Sequence, residues 1–138
     1  MWGKRTGEMK ILVDHNLKGH SALLFVTLKE DGWAELLDLS FVYFPETPLD
    51  ESSDDTAIWR YAQTQHLLLL TDNRNRRGDD SLQATIEREN HPQALPVLTV
   101  SSKERLSDPE YRSRVAEGIA DVIIYLDNFR GAGRIFLP

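Results

Sequence analysis

Acidic residues follow the apolar segments of this chain at three places. Asp14 directly follows the first apolar segment, Asp72 directly follows the third, and the second leads into an acidic loop that ends at Asp55. Carboxylates that a fold brings together repel one another, and a divalent cation with oxygen ligands relieves that repulsion. Bound Mg²⁺ or Mn²⁺ can activate water for attack on a phosphodiester. We therefore take Asp14, Asp72 and an acid of the acidic loop, with Asp54 and Asp55 as alternatives, as candidate metal ligands and catalytic residues.

Arginines share the turn that begins at Asp72. Arg74, Arg76 and Arg77 all lie within a few residues of it, and a guanidinium suits bidentate contact with phosphate. When each residue is taken singly, a turn cap or a solvated loop explains it better than a functional role does, and only their shared location favours function. Asp14 differs, because a position directly after a buried strand is costly for an unpaired charge.

The elements that must position these residues alternate between strand and helix. Continuous apolar runs typical of strands buried on both faces occur between segments of helical periodicity. This order predicts an α/β fold, with a mainly parallel central sheet of about five strands between two helix layers. Ligands of such sheets bind beyond the carboxyl ends of the strands. The predicted strands are Met9–Val13, Leu39–Phe44, His66–Thr71, Pro96–Val100 and Arg134–Leu137, and the predicted helices cover about 17–30, 55–65, 81–89 and 108–127.

Composition limits the classes of function. The 138 residues carry a net charge of −6, which argues against electrostatic binding of nucleic acid over a broad basic surface but allows a local basic patch. The absence of cysteine excludes disulfides, zinc–thiolate sites and a cysteine nucleophile. Glycine-rich phosphate loops are also missing. The length and the lack of a long apolar run predict a cytoplasmic protein without a membrane span, with a loose extension over residues 1–8 and a single domain over 9–138.

Three short motifs resemble those of small bacterial PIN-like proteins. The segment MKILVDHNL, which contains Asp14, resembles their opening strand and helix start. Asp55, Ile58 and Ala62 match the pattern of their middle helix. The stretch from Leu70 to Asn75 corresponds to the turn after their third strand. The resemblance extends from Met9 to about Val100.

This resemblance implies a PIN-like three-layer α/β/α fold and a Mg²⁺- or Mn²⁺-dependent ribonuclease, often the toxin of a toxin–antitoxin pair. RNA, an antitoxin-like protein and a second copy in a homodimer are the implied partners. Asp14 matches the first metal ligand and Asp55 the acid of the middle helix, although Asp54 competes with Asp55 for that role. Asn73 stands where an aspartate is expected, so it is predicted to be an auxiliary ligand that adds no charge.

The substitution at Asn73 supports an alternative. A PIN-like domain that has lost cleavage would serve as a nucleic-acid or protein binding module, using the arginines after Asp72. A third interpretation is a signalling module of the receiver type, which needs a lysine near the position of Lys103. This interpretation is weaker, because Asp14 lacks the acidic neighbour that such modules have.

Overall fold

The computed structural model describes residues 8–74 and 77–138. The extension predicted over residues 1–8 lies outside this range except for Glu8, which is exposed and pairs with Lys10 at 3.3 Å. Asn75 and Arg76 also lie outside the described residues.

Five strands form one sheet in which all neighbours run parallel, in the order β2-β1-β3-β4-β5. The prediction of an α/β fold with a five-stranded parallel sheet is confirmed. The first strand has the predicted bounds, the next three are two residues shorter than predicted, and the last, which lies at an edge of the sheet, is one residue shorter. The strands are β1 (Met9–Val13), β2 (Leu39–Val42), β3 (Leu68–Thr71), β4 (Val97–Thr99) and β5 (Arg134–Phe136).

Helices cover both faces of the sheet and make three layers. Because side chains alternate along a strand, Ile11 and Val13 join the core beneath α1, α2 and α5, whereas Leu12 joins the core beneath α3 and α4. Strands buried on both faces account for the nearly continuous apolar sequence. The helices are α1 (Lys18–Glu30), α2 (Trp33–Leu36), α3 (Asp55–Thr64), α4 (Leu82–Glu89), α5 (Pro109–Ile124) and α6 (Leu126–Phe129).

The start of α1 departs from the sequence prediction. Asn16 has the residue type of a helix cap, but it lies inside a 3-10 turn over His15–Leu17, and no side chain caps that turn. Leu23, the neighbour of Leu24 in the sequence, is 50% exposed. The buried stripe of α1 instead contains Leu24 and Leu28, and Leu23 lies a third of a turn away from it.

The strand order creates a switch point between β1 and β3. The chain leaves β1 towards β2 on one side and later returns to β3 on the other, so the crossovers diverge at the carboxyl ends of these two strands. Asp14 and Asp72 directly follow the two strands that border this crevice. Within residues 8–74 and 77–138, no helix has the length and apolar composition needed to span a membrane.

Candidate active site

Asp14 is fixed where β1 ends. Its backbone N–H donates to the carbonyl of Leu70 at 2.9 Å, which extends the pairing of β1 and β3 by one residue. The hydroxyl of Thr71, which is fully buried, donates to Oδ2 of Asp14 at 2.5 Å. The neighbouring strand therefore holds both the backbone and the carboxylate of Asp14.

The surroundings of Asp14 raise the pKa of its carboxyl group above the usual value of 3.8. Burial is the main cause, and the negative charges of Asp72 and Asp55 act in the same direction. Hydrogen bonds from the Thr71 hydroxyl and the Asn16 backbone partly oppose the rise in pKa. Ionised Asp14 is thus less favourable here than in water, and a bound proton or cation would stabilise it.

Asp72 is the second carboxylate at the switch point. Its Oδ2 lies 3.9 Å from Nζ of Lys103, which the loop after β4 supplies. Both side chains are partly buried. The structure therefore places a lysine beside the acid that follows β3. In the sequence, Lys103 lies just beyond a predicted strand and was considered only for the receiver-type interpretation.

Asp55 makes contacts of a different kind. Its Oδ2 accepts hydrogen bonds from Nδ2 of Asn73 and from the backbone N–H of Leu82, both at 3.0 Å. The backbone N–H of Asn73 donates in turn to the Thr71 hydroxyl at 3.0 Å. Asp55 therefore ties the start of α3 to the turn after β3 and to the start of α4. The side-chain nitrogen of Asn73 is directed at Asp55.

Asp54 and Asp55 have separate roles. Asp54 is exposed and caps α3, because its Oδ1 accepts from the N–H of Ala57 at 2.8 Å. This contact satisfies a backbone donor that the first turn of a helix leaves without a partner. Of the two acids that the sequence left open, Asp55 is the one that faces Asp14 and Asp72.

These roles predict different effects of mutation. Asp54→Ala should destabilise the protein by about 1 kcal/mol through loss of the helix cap and leave any metal binding unchanged. Asp55→Ala should also weaken metal binding, because the turn that carries Asn73 loses its anchor. Urea unfolding and calorimetric titration with Mn²⁺ would measure both effects. Equal loss of metal affinity in the two variants would contradict this division.

Arg134 is a site residue that the sequence did not indicate as functional. Its Nη1 donates to the carbonyl of Asn73 at 2.8 Å and to Oγ1 of Thr99 at 2.7 Å, and its Nε donates to Oε1 of Gln83 at 3.1 Å. The turn after β3 is therefore fastened to β4, α4 and β5. In the sequence, Arg134 only marks the start of a short apolar strand, and this position alone does not indicate a role at the site.

The predicted phosphate-binding arginines are partly described. Arg74 is exposed, and its guanidinium donates to the carbonyl of Ser101. Arg77 is also exposed, and Arg76 lies outside the described residues. Arg74 is thereby held beside the loop that carries Lys103.

The side chains of this region suit a sparsely coordinated cation. No group of three or more histidine, aspartate or glutamate side chains in residues 8–74 and 77–138 could together hold a metal ion. Mg²⁺, however, usually keeps several waters and takes one or two carboxylates together with substrate phosphate. Asp14 and Asp72 at adjacent strand ends, where burial and, to a smaller extent, repulsion by the neighbouring acids raise the pKa of Asp14, meet that smaller requirement.

The fold and this site together define a three-layer α/β/α protein with an acidic cluster, Asp14, Asp55 and Asp72, at the switch point of a parallel sheet. In comparisons with known proteins, no family model, no curated protein and no solved structure matched the chain.

Proposed function

We propose that the protein is a PIN-like ribonuclease that depends on Mg²⁺ or Mn²⁺. The observation that carries the proposal is the position of Asp14 and Asp72 directly after the two strands that border the switch point, where burial and the neighbouring acids raise the pKa of Asp14. The short motifs around Asp14, Asp55 and Leu70–Asn75 support the same class of activity. RNA as the substrate, and an antitoxin-like partner, rest on that resemblance alone.

Each side chain has a definite task in this proposal. Asp14 and Asp72 would hold the cation, which supplies an activated water and stabilises negative charge on the phosphate. Asp55, which the resemblance makes a further metal ligand, would also orient the turn after β3 through Asn73. Lys103 lies beside Asp72, and Arg74 is held at Ser101 in the same loop; both would bind the phosphate oxygens, with Arg74 suited to bidentate contact.

A binding module without cleavage is the second candidate. All three acids already have partners, since Asp14 accepts from Thr71, Asp55 accepts from Asn73 and Leu82, and Asp72 lies beside Lys103. Such contacts reduce the need for a metal. In this version, the cations at the crevice would hold a nucleic acid or an acidic partner without catalysing a reaction.

Cleavage of a single-stranded RNA oligonucleotide, with Mg²⁺, with Mn²⁺ and with a chelator, tests the proposal. We expect metal-dependent cleavage by the wild-type protein and a loss of at least about 100-fold in Asp14→Asn and Asp72→Asn, a size typical of removing transition-state charge stabilisation. Asp127→Asn is the matched control, because the Asp127 side chain is 96% exposed and belongs to α6.

The outcomes separate the two candidates. RNA binding without cleavage under any metal condition would reject the nuclease and favour the binding module. Cleavage that continues in the chelator or in Asp14→Asn would reject the metal-dependent mechanism. Absence of both RNA binding and metal binding would reject both candidates.

A further inference from the structure

Two exposed arginines lie against one buried tyrosine. Cζ of Arg105 is 4.3 Å from the ring centroid of Tyr111, and Cζ of Arg114 is 5.6 Å from the same centroid. Tyr111 is completely buried, whereas both arginines are exposed. Cation–π contact with a single ring therefore holds the two guanidinium groups near each other at the protein surface. We refer to Arg105 and Arg114 as the arginine pair.

The ring beneath the arginine pair is itself anchored. The Tyr111 hydroxyl donates to the carbonyl of Pro138, and the backbone N–H of Ser102 donates to that hydroxyl at 3.2 Å. The tyrosine thus links α5 to the loop after β4 and to the segment after β5. A fixed support reduces the side-chain entropy that the arginines lose when they bind a ligand.

Neither member of the arginine pair has an acidic partner within the described part of the chain. The ion pairs there are formed by other residues, although Glu104 precedes Arg105 and Glu117 lies one turn after Arg114. The two guanidinium carbons are at most about 10 Å apart, because both lie near one centroid. Two like charges at this distance repel, and an anion between them would relieve the repulsion.

The arginine pair continues a series of cations that begins at the acidic cluster. Lys103 lies beside Asp72 and is two residues before Arg105, and Arg74 donates to Ser101 at the start of the same loop. All four cations are thus connected to the loop after β4: Lys103 and Arg105 belong to it, Arg74 donates to its Ser101, and Arg114 lies against Tyr111, whose hydroxyl accepts from its Ser102. Such a row suits a ligand with repeated negative charges better than a single phosphate.

The composition of this surface favours a nucleic acid over a protein. Protein interfaces usually contain an apolar centre. The large apolar side chains that are exposed among the described residues all lie outside the loop after β4 and the first turns of α5: Leu23, Val26, Leu36, Ile124, Tyr125 and Phe136. A narrow row of cations on a chain of net charge −6 fits a single-stranded nucleic acid, because a nucleic-acid duplex needs a broader basic face.

We propose that the arginine pair, with Lys103 and Arg74, binds the phosphate backbone of a single-stranded polynucleotide and directs it to the acidic cluster. The purpose of that binding rests on the proposed function, because the strand would be the substrate. The binding itself requires no metal and no intact Asp14. Arg105 and Arg114 contact the backbone away from the site of cleavage.

Fluorescence anisotropy of a labelled 12-nucleotide RNA, in chelator and over a series of salt concentrations, tests this surface. Arg105→Gln combined with Arg114→Gln should weaken binding about tenfold or more and lower the slope of log affinity against log salt by about 1.4, because each phosphate contact on a single strand contributes about 0.7. The loss should be similar for oligonucleotides of different sequence.

A matched control removes the same charge at the amino ends of the strands, whereas the arginine pair lies beyond a carboxyl end. Lys10, at the start of β1, and Arg130, which donates to the carbonyl of Gln93 before β4, are both replaced by glutamine, and this double variant should bind RNA like the wild type. Arg105→Lys combined with Arg114→Lys should retain most of the binding because it keeps the charge. Thermal unfolding of each variant establishes that it is folded at the assay temperature.

Several outcomes would overturn the inference. These are no RNA binding by the wild type, unchanged binding in the glutamine variant, or an equal loss in the control variant. Polyglutamate of the same length that binds as tightly as RNA would assign the surface to an acidic protein instead. Binding that persists in Asp14→Asn while wild-type cleavage is absent would reject the proposed nuclease and leave this surface supported.

Discussion

Replacement of Asp14 with asparagine is expected to abolish metal-dependent activity and to stabilise the protein at neutral pH by about 1 kcal/mol, the usual size of a gain at a site that sacrifices stability for function. The amide oxygen of the asparagine would still accept the hydrogen bond that Thr71 donates to Oδ2 of Asp14. The amide would carry no buried charge beside Asp72 and Asp55. Function and stability should therefore change in opposite directions.

The difference in stability between Asp14→Asn and the wild type should depend on pH. The folded state raises the pKa of Asp14, so folding favours the protonated carboxyl group. Below pH 3.8 the carboxyl group is mostly protonated in both the unfolded and the folded protein, and ionisation costs the fold nothing. As the pH rises above 3.8 and through the raised pKa, the wild type loses stability that the asparagine variant does not lose.

Urea unfolding of both proteins between about pH 3.5 and about pH 8, at low ionic strength, measures the difference (on the order of 1 kcal/mol). The advantage of Asp14→Asn should be largest at neutral pH and should disappear at the acidic end. Asp127→Asn, at an exposed side chain, should show no such pH-dependent advantage. If Asp14→Asn were less stable than the wild type at neutral pH, ionised Asp14 would not destabilise the folded protein, and the prediction would be wrong.

Arg134→Gln is expected to destabilise the protein by about 3 kcal/mol, because Nη1 of Arg134 makes two charge-assisted hydrogen bonds. It should also weaken Mn²⁺ binding, since the carbonyl of Asn73 loses the donor that fixes the turn after β3. The effect on the metal would be indirect, through the position of that turn. Arg134 is therefore a positioning residue.

The measurement must separate misplacement of the turn from loss of the fold. Arg130→Gln is the matched control, because Arg130 donates to the carbonyl of Gln93 and pairs with exposed Asp127, and its loss should cost no more than about 1 kcal/mol. Titration of the Asp14 carboxyl group by NMR, below the unfolding temperature, reports on the turn. An unchanged Asp14 titration in folded Arg134→Gln would contradict the positioning role.

Local sequence patterns predicted the sheet because each strand carries its own pattern. The run Leu67–Leu70 is apolar on both faces, and only a strand covered by helices on both sides buries it fully. Asp14 and Asp72 were found for the same reason, since a charged residue after such a run lies at the carboxyl edge. Short-range signals and the rule for parallel sheets were sufficient for these two residues.

Contacts between distant segments could not be predicted in this way. Arg134 reaches Asn73 across 61 positions of the chain, and nothing near Arg134 in the sequence indicates its partner. The assignment of the cap to Asp54 and of the cluster to Asp55 required the position of Asn73 after folding. The contact of Arg105 with Tyr111 spans only six residues but depends on the path of the loop after β4, whereas Arg114 lies three residues after Tyr111 in the same helix.

The site can be completed only after β5, the last strand, has joined the edge of the sheet, because Arg134 of β5 supports the turn after β3. Asp14, Asp55 and Asp72 are synthesised well before Arg134, so a growing chain can form β1 and β3 while the turn after β3 still lacks its last support. Contacts between such distant segments form slowly, because the intervening chain must be closed first. The nascent protein therefore carries its acidic cluster for some time without the geometry that a cation or a strand of RNA would require.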